Sequence, residues 1–343
     1  MSLEQSICKL VKQHWNDLYS EGHAPDSLIL IKVAGKLSPN ANIIAMIIDA
    51  KHQQPVAVAK IPRNPQSTYG LEQEYYAMTS IQNSISNSSL LDNIPYRGTL
   101  VEIDGIKILL QTAGEGYPMV RELTNQKSIG LLYKKIVPWM FEFHLDGSTS
   151  CVLEGNILHK FVKEPVSRFL EQHKELYHNI LSDISIHYLS KLSTNIEGLT
   201  VHLCRQHGDF NAHNILVNFN GKRFNNFTLI DWEDYNDQQL PIHDLNHFFT
   251  SNSHLLGKGR PPEDSYAKLI LNKGWYQNLY HQALTNYEKT GLITHNTFLK
   301  LTPLYHIGMC FRLAESQRQQ LNTAHVWIKR MDLFINNYLR EIQ

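Results

Sequence analysis

Apolar residues at the start of the chain recur at helical spacing. Leu3, Ile7, Leu10, Val11 and Leu18 fall on one face, which predicts a short amphipathic opening helix. The period then changes. The stretches "SLILIKVAG", "NIIAMIIDA" and "PVAVAKIPR" are short, rich in branched residues and separated by Gly, Pro, Ser and Asn, the pattern of successive antiparallel strands. "LEQEYYAMTSI" follows as a helix. "GTLVEIDGIKILLQT" supplies two more strands around Asp104-Gly105, a pair suited to the positive-φ hairpin turn. After the Gly-rich "AGEGYP" at 113–118, helix-spaced apolar residues run through about 126–145, 155–192, 264–290 and 297–341. Among them lies one small β patch, the strand "ILVNF", a turn at Asn220-Gly221 and the strand "FTLIDW". These elements predict an α+β chain of two lobes. Residues 1–113 form an N-terminal sheet with a helix, 114–118 a hinge, and 119–343 a larger, mainly helical lobe.

Composition narrows the partners. Lys plus Arg and Asp plus Glu both number 32 in 343 residues, so there is no electrostatic footprint for nucleic acid or an anionic membrane. The N-terminus lacks the basic flank and apolar core of a signal peptide, and no segment approaches ~18 uninterrupted apolar residues. The expectation is a soluble, cytoplasmic protein. Cys8, Cys151, Cys204 and Cys310 are far apart with no CxxC pair, which argues for reduced thiols rather than a zinc site or disulfide framework.

The chemistry concentrates in "RQHGDFNAHNILVN", residues 205–218, and in Asp231 at the end of "FTLIDW". Asp209, Asn214 and Asp231 can all sit at the ends of the β patch, one carboxylate orienting an alcohol, an amide and a second carboxylate binding Mg²⁺. That ion prefers hard oxygens and takes only one or two carboxylates, with phosphates and waters completing its shell. Phosphoryl transfer also needs a cation for the nucleotide phosphates and something to fix that cation. Lys60 fits. The alternation that buries Val56 and Val58 leaves it on the same face, costly for an ammonium without a partner. Glu74 on the following helix is the natural counter-ion. Glu72 is the alternative, although the helix's apolar register prefers Glu74. Gly35, Lys36, Ser38 and Asn40, in the turn between the first two strands, offer donors that could cover phosphates.

Together these residues resemble the aminoglycoside phosphotransferase and choline kinase superfamily, the small-molecule branch of the protein-kinase-like fold. "HGDFNAHN" is similar to its HxDxxxxN catalytic loop and "LIDWE" to its metal-binding strand end. Lys60, Glu74 and "LLQTAGEG" follow in the expected order. The resemblance implies a bilobal kinase-like fold with a nucleotide-binding N-terminal lobe. It implies Asp209 as catalytic base, Asn214 and Asp231 as Mg²⁺ ligands, and Lys60, held by Glu74, on the α- and β-phosphates of ATP or GTP. It further implies phosphate contacts at Ser38 and base contacts from backbone near Gln111 and Ala113. Asp244 in "PIHDLNHFF" would brace the catalytic loop, with His207 as its counterpart.

The expected activity is phosphorylation of a hydroxyl on a small molecule such as an amino alcohol, aminoglycoside or sugar. A protein kinase is disfavoured because only "WEDYNDQQLPIH" separates Asp231 from Asp244, too little for a substrate-docking activation segment. The alternative is a nucleotide-binding pseudokinase serving as scaffold or sensor. Glu233 and Asp234, crowded behind Asp231, would favour a cationic acceptor, helped by cation–π contact with Trp232 and Tyr235. Lys258 and Arg260 in "GKGRPPED" could reverse that local sign. His243 and His247 have the spacing of zinc ligands but lack the HExxH glutamate, so packing is expected of them, as of Trp139, Phe141 and Phe143.

Overall fold

A computed structural model describes residues 2–33, 41–96, 98–124, 126–173, 180–221, 223–316 and 321–342. In chain order, the elements up to the second half are α1 (Leu3–Gln13), α2 (Trp15–Leu18), β1 (Leu28–Val33), β2 (Asn42–Asp49), β3 (Gln54–Pro62), α3 (Tyr69–Ser84), β4 (Gly98–Ile103), β5 (Ile106–Thr112) and β6 (Tyr117–Pro118). Then come α4 (Gln126–Leu145), β7 (Thr149–Val152), α5 (Gly155–Leu158), α6 (Glu164–His173), α7 (Asp183–Ile196), β8 (Thr200–Gln206), β9 (Ile215–Asn220), β10 (Arg223–Leu229) and β11 (Asn236–Gln239). The chain closes with α8 (His243–Leu256), α9 (Pro262–Tyr266), α10 (Trp275–Glu288), α11 (His295–Ser316) and α12 (Leu321–Ile342). They form two compact units. The first holds residues 1–119, 207–209 and 213–236, and the second holds 120–206, 210–212 and 237–343.

In the first unit, β1 to β5 make an antiparallel sheet in the order β1-β2-β3-β5-β4. Ser2 starts α1 with a capping box: its hydroxyl accepts from the Gln5 N–H at 3.3 Å and the Gln5 side chain accepts from the Ser2 N–H at 3.1 Å. Ile7 and Val11 of α1, with Leu18, are buried against Ala45, Ile47, Ala57, Ala59 and Ile61. Full burial of each such branched side chain contributes about 1.5–3 kcal/mol. The small residues on β2 and β3 are what let a helix approach this closely.

This corrects the sequence-based assignment of faces on β3. The fully buried residues are Ala57, Ala59 and Ile61, whereas Val56 and Val58 are only half-buried on the face that carries Lys60. Helix α3 serves that second face. Its buried stripe is Leu71, Glu74, Ala77, Met78 and Ile81, and Met78 occupies the space left by Gly98, where a Cβ would lie 2.7 Å from the methionine Cε. The β4–β5 hairpin turns at Asp104 (φ 50°) and Gly105 (φ 78°), as the positive-φ turn requires.

Tyr117 and Pro118, assigned to the break after β5, instead pair with Val217 and Leu216 of β9, giving a three-stranded sheet β10-β9-β6. In the second unit, β11-β8-β7 form a further sheet absent from the sequence reading. β8 hides from pattern analysis because it is buried at consecutive positions and ends in the polar Arg205 and Gln206. The helical run at 155–192 is also broken. Ser182 caps a new helix by accepting from the Ser185 N–H at 3.3 Å. Helix α4 continues through Pro138 and buries Trp139, Phe141 and Phe143 in the core, with Trp139 stacked on Phe143 at 5.2 Å. Among the described residues, no helix is long and apolar enough to cross a membrane.

Candidate active site

Lys60 is 6% exposed on β3, a position where desolvation of an ammonium costs several kcal/mol unless it is paired. It is paired twice. Its Nζ donates to Glu74 Oε2 at 2.6 Å and to Asp231 Oδ1 at 2.8 Å. Burial pulls the ammonium down, but the two carboxylates outweigh it and raise it above the ordinary lysine value, so Lys60 stays charged. Lys60 in turn holds Asp231 below the usual carboxylate range. Burial raises Glu74, whose position on the buried stripe of α3 explains why it, and not Glu72, reaches Lys60. Glu72 pairs with Lys107 at 2.6 Å.

Asp231 lies just past β10 with φ 70°. A non-glycine residue there carries about 1–3 kcal/mol of backbone strain, tolerated when the surroundings over-determine the conformation. The next residue supplies part of that constraint. Trp232 is fully buried, donates its indole N–H to the Leu229 carbonyl at 2.9 Å and lies 4.5 Å from the His207 ring. It is therefore part of the packing, and the expected cation–π surface at Trp232 is not present.

The loop opposite is drawn together by hydrogen bonds. His207 Nδ1 accepts from the Asp209 N–H at 3.1 Å, and its Nε2 donates to the Ile230 carbonyl at 3.1 Å, which fixes the neutral tautomer. Gly208 (φ 85°) is the tight point, because a Cβ there would lie 2.2 Å from the Asp234 carbonyl oxygen. The Asn214 amide donates to Asp209 Oδ2 at 2.8 Å and to the Asp209 carbonyl at 3.0 Å. The Asn214 carbonyl accepts from the Ile230 N–H at 2.9 Å, which ties the start of β9 to the end of β10, one residue before Asp231. Asp209, Asn214 and Asp231, far apart in sequence, thus gather at one end of one sheet with Lys60 and Glu74.

These residues suit a hard cation. With its amide nitrogen committed to Asp209, Asn214 keeps its side-chain oxygen as an acceptor, and Asp231 keeps the oxygen that Lys60 does not occupy. Among the described residues, no group of three His, Cys, Asp or Glu side chains could hold a metal alone. Mg²⁺ is retained by few protein ligands together with phosphate and water oxygens, so one amide oxygen and one carboxylate oxygen are donors of the kind it takes.

The remaining expected residues are placed as follows. Ser38 lies outside the described residues, as do Gly35, Lys36 and Asn40. The Ala113 N–H donates to the Val56 carbonyl at 3.2 Å, and Gln111 is buried beside it on β5. The Glu233 carboxyl rests against Gly70 in the first turn of α3, where a Cβ would come within 2.6 Å of it. Although the residue as a whole is exposed, burial of that carboxyl group and the charges of Asp231 and Asp234 push it up to about 7.

In the second unit, Asp244 is fully buried. It accepts from His144 Nε2 at 3.1 Å, and its N–H donates to Gln206 Oε1 at 2.8 Å, bracing the residue just before His207. Sequence reasoning missed Gln206 and His144, and also Arg205, which donates to the Asp146 carbonyl at 2.7 Å and pairs with its carboxylate. Their signal is a run of polar residues ending an otherwise apolar strand. His243 and His247 stack at 5.6 Å, and His247 Nδ1 meets the Tyr305 hydroxyl at 3.2 Å, so both belong to a packed aromatic cluster.

No protein-family model matches the chain, and no curated protein matches it in sequence. Solved structures do match. An aminoglycoside 2'-phosphotransferase-IIIa in its GDP complex superposes with TM-score 0.51 at 14% identity, over 99% of this chain and 100% of that one. A macrolide 2'-phosphotransferase from Brachybacterium faecium superposes with TM-score 0.52 at 11% identity, over 97% and 98% of the two chains. The chain has the bilobal protein-kinase-like fold of these small-molecule phosphotransferases.

Proposed function

We propose that the chain is a Mg²⁺-dependent kinase that transfers the terminal phosphate of ATP or GTP to a hydroxyl of a small molecule. The observation that carries this reading is the buried ammonium of Lys60 held between Glu74 and Asp231. A charge so deeply placed, with one carboxylate behind it and one at the site, suits a residue that neutralises phosphate oxygens. Asp209, oriented by Asn214 and by the His207 ring, is the base. It takes the acceptor's hydroxyl proton as the acceptor oxygen bonds to the terminal phosphorus and the bond to the leaving nucleoside diphosphate breaks. Asn214 and Asp231 would hold Mg²⁺, which supplies charge neutralisation on the phosphates. The acidic stretch Asp231, Glu233, Asp234 makes a cationic, amino-bearing alcohol the acceptor class to test first.

The decisive measurement combines nucleotide turnover, with and without a panel of amino alcohols, sugars and aminoglycosides, with Asp209→Asn. That variant is expected to lose about 10²-fold or more in kcat while nucleotide affinity changes little. Wild-type turnover in Asp209→Asn contradicts the assignment, and a wild type that binds nucleotide but never turns it over identifies a pseudokinase.

A further inference from the structure

A cavity of about 730 Å³ opens on the second unit between α7, α11 and α12. Small-molecule sites span about 300–1,000 Å³, so its size suits one. None of its lining residues belongs to the first unit, which holds Lys60, Asp209, Asn214 and Asp231, so it is separate from the candidate active site. Its wall is apolar. Ile184 of α7 is 55% exposed there, and the Tyr188 and Tyr338 rings meet edge to face at 6.4 Å. Both tyrosine hydroxyls are committed, Tyr188 donating to the Lys300 carbonyl at 3.2 Å and Tyr338 to the Asn296 side-chain oxygen at 3.0 Å. The two tyrosines therefore offer the cavity ring surface rather than a donor.

Charge is sorted along this wall. The Tyr188 hydroxyl bond places the Lys300 backbone beside α7 one turn before Lys191, so both lysines border the same end of the cavity. Among the described residues, neither ammonium has a hydrogen-bond or ion-pair partner. Asp183 also lines the cavity but precedes Lys191 by eight residues, about 12 Å along the helix axis. It lies in the first turn of α7, where the positive end of the helix offsets its charge. The cavity thus joins an apolar wall to one end that carries two uncompensated cations.

We infer that this cavity is a binding site for a small amphipathic carboxylate. The hydrocarbon body rests on Ile184, Tyr188, Tyr338 and Leu339, and the carboxylate accepts from the Lys191 and Lys300 ammonium groups. That charge-assisted contact is one that an alcohol or an amine of the same shape lacks.

The test is a ligand-observed NMR titration of octanoate, octylamine and octanol, which share one chain length and differ in charge, against wild type and three variants. Wild type is expected to bind octanoate about 10-fold or more tightly than either of the others. Lys191→Met and Lys300→Met should each weaken octanoate about 3- to 10-fold and leave octanol unchanged. Ile184→Asp, which puts a carboxylate on the apolar wall, should weaken octanoate about 10-fold or more. The three positions are exposed or half-buried, so each Tm should move by no more than about 2 °C. Octanoate bound no more tightly than octylamine or octanol by wild type, or octanoate affinity unchanged in both lysine variants or in Ile184→Asp, would overturn the inference and leave the kinase reading intact. Should a lysine variant not fold, the three probes on wild type and on Ile184→Asp decide.

Discussion

Of the cations buried among the described residues, Lys60 at 6% exposure in the first unit and Arg330 at 3% in the second are held in opposite ways. Lys60 sits between two carboxylates. Arg330 has no carboxylate at ion-pair distance among the described residues. Its guanidinium lies 4.6 Å from the Trp327 ring and 5.8 Å from the Tyr266 ring, and it donates to the Pro262 carbonyl at 3.2 Å. The two respond to burial accordingly. Carboxylates raise Lys60 above its ordinary value, whereas desolvation lowers Arg330. Ring faces and a carbonyl are fixed partners, so Arg330 is a structural residue. Carboxylates can hand a cation to a more negative group, which suits Lys60 to a ligand.

Exchanging the two cation types should separate those roles most strongly. Lys60→Arg keeps the charge but replaces a compact ammonium with a planar fork that does not fit between Glu74 and Asp231. It is expected to lower kcat/KM by about 10²-fold or more, with little change in Tm. Arg330→Lys keeps the charge but loses the stacked plane. It is expected to destabilise the chain by about 1–3 kcal/mol in urea titration, with kcat/KM per folded molecule unchanged. A reversal of either result would mean that the depth of burial, and not the kind of partner, decides what a cation does here.

Protonation gives a second contrast. His306, fully buried beside Arg330's rings, is pushed down to about 3 by desolvation and then by the Arg330 charge. A histidine depressed in the folded state binds fewer protons there than in the unfolded chain, where its value is near 6.5. Stability conferred above that value is therefore lost as pH falls from about 6.5 towards 3. The slope from this one group approaches about 1.4 kcal/mol per pH unit. Urea titrations between pH 7 and 5 should show the loss, and His306→Leu should flatten it. An unchanged slope in that variant would assign the acid sensitivity to other groups.

The two regions also differed in how readable they were. The sheet of the first unit could be read because β1 to β5 alternate between a covered and a less covered face and the Asp104-Gly105 turn carries its own backbone requirement. "HGDFNAHN" was readable because a Gly, three acid or amide side chains and two His in one loop have no ordinary packing use. The side of β3 on which the core lies was not readable, since Ala57 and Ala59 are weak apolar signals beside Val56 and Val58. Nor was β8, whose buried polar end, Arg205 and Gln206, depends on Asp146 and Asp244, residues brought to it only by the fold. Trp232 looked like an open ring surface because its neighbours in sequence are acidic, yet the positive φ of Asp231 sends the indole inward.

The smallest expected effect concerns whether Lys60 and Glu74 act as one unit. Removing the lysine leaves a carboxylate 1% exposed with nothing to compensate it, and burial already raises Glu74, so in Lys60→Met it should take up a proton and go neutral. Glu74→Gln leaves Lys60 held by Asp231 alone, drawing the ammonium towards the metal-binding side. Each single variant thus already forfeits what the pair does jointly, and the double variant should lose little more. A double-mutant cycle on kcat/KM with Lys60→Met and Glu74→Gln is expected to show a coupling of about 1–2 kcal/mol. The same cycle with Glu72→Gln in place of Glu74→Gln should show none, because Glu72 is engaged with Lys107. Additive losses in the first cycle would mean that Asp231 alone positions Lys60 and that the contact with Glu74 serves only packing.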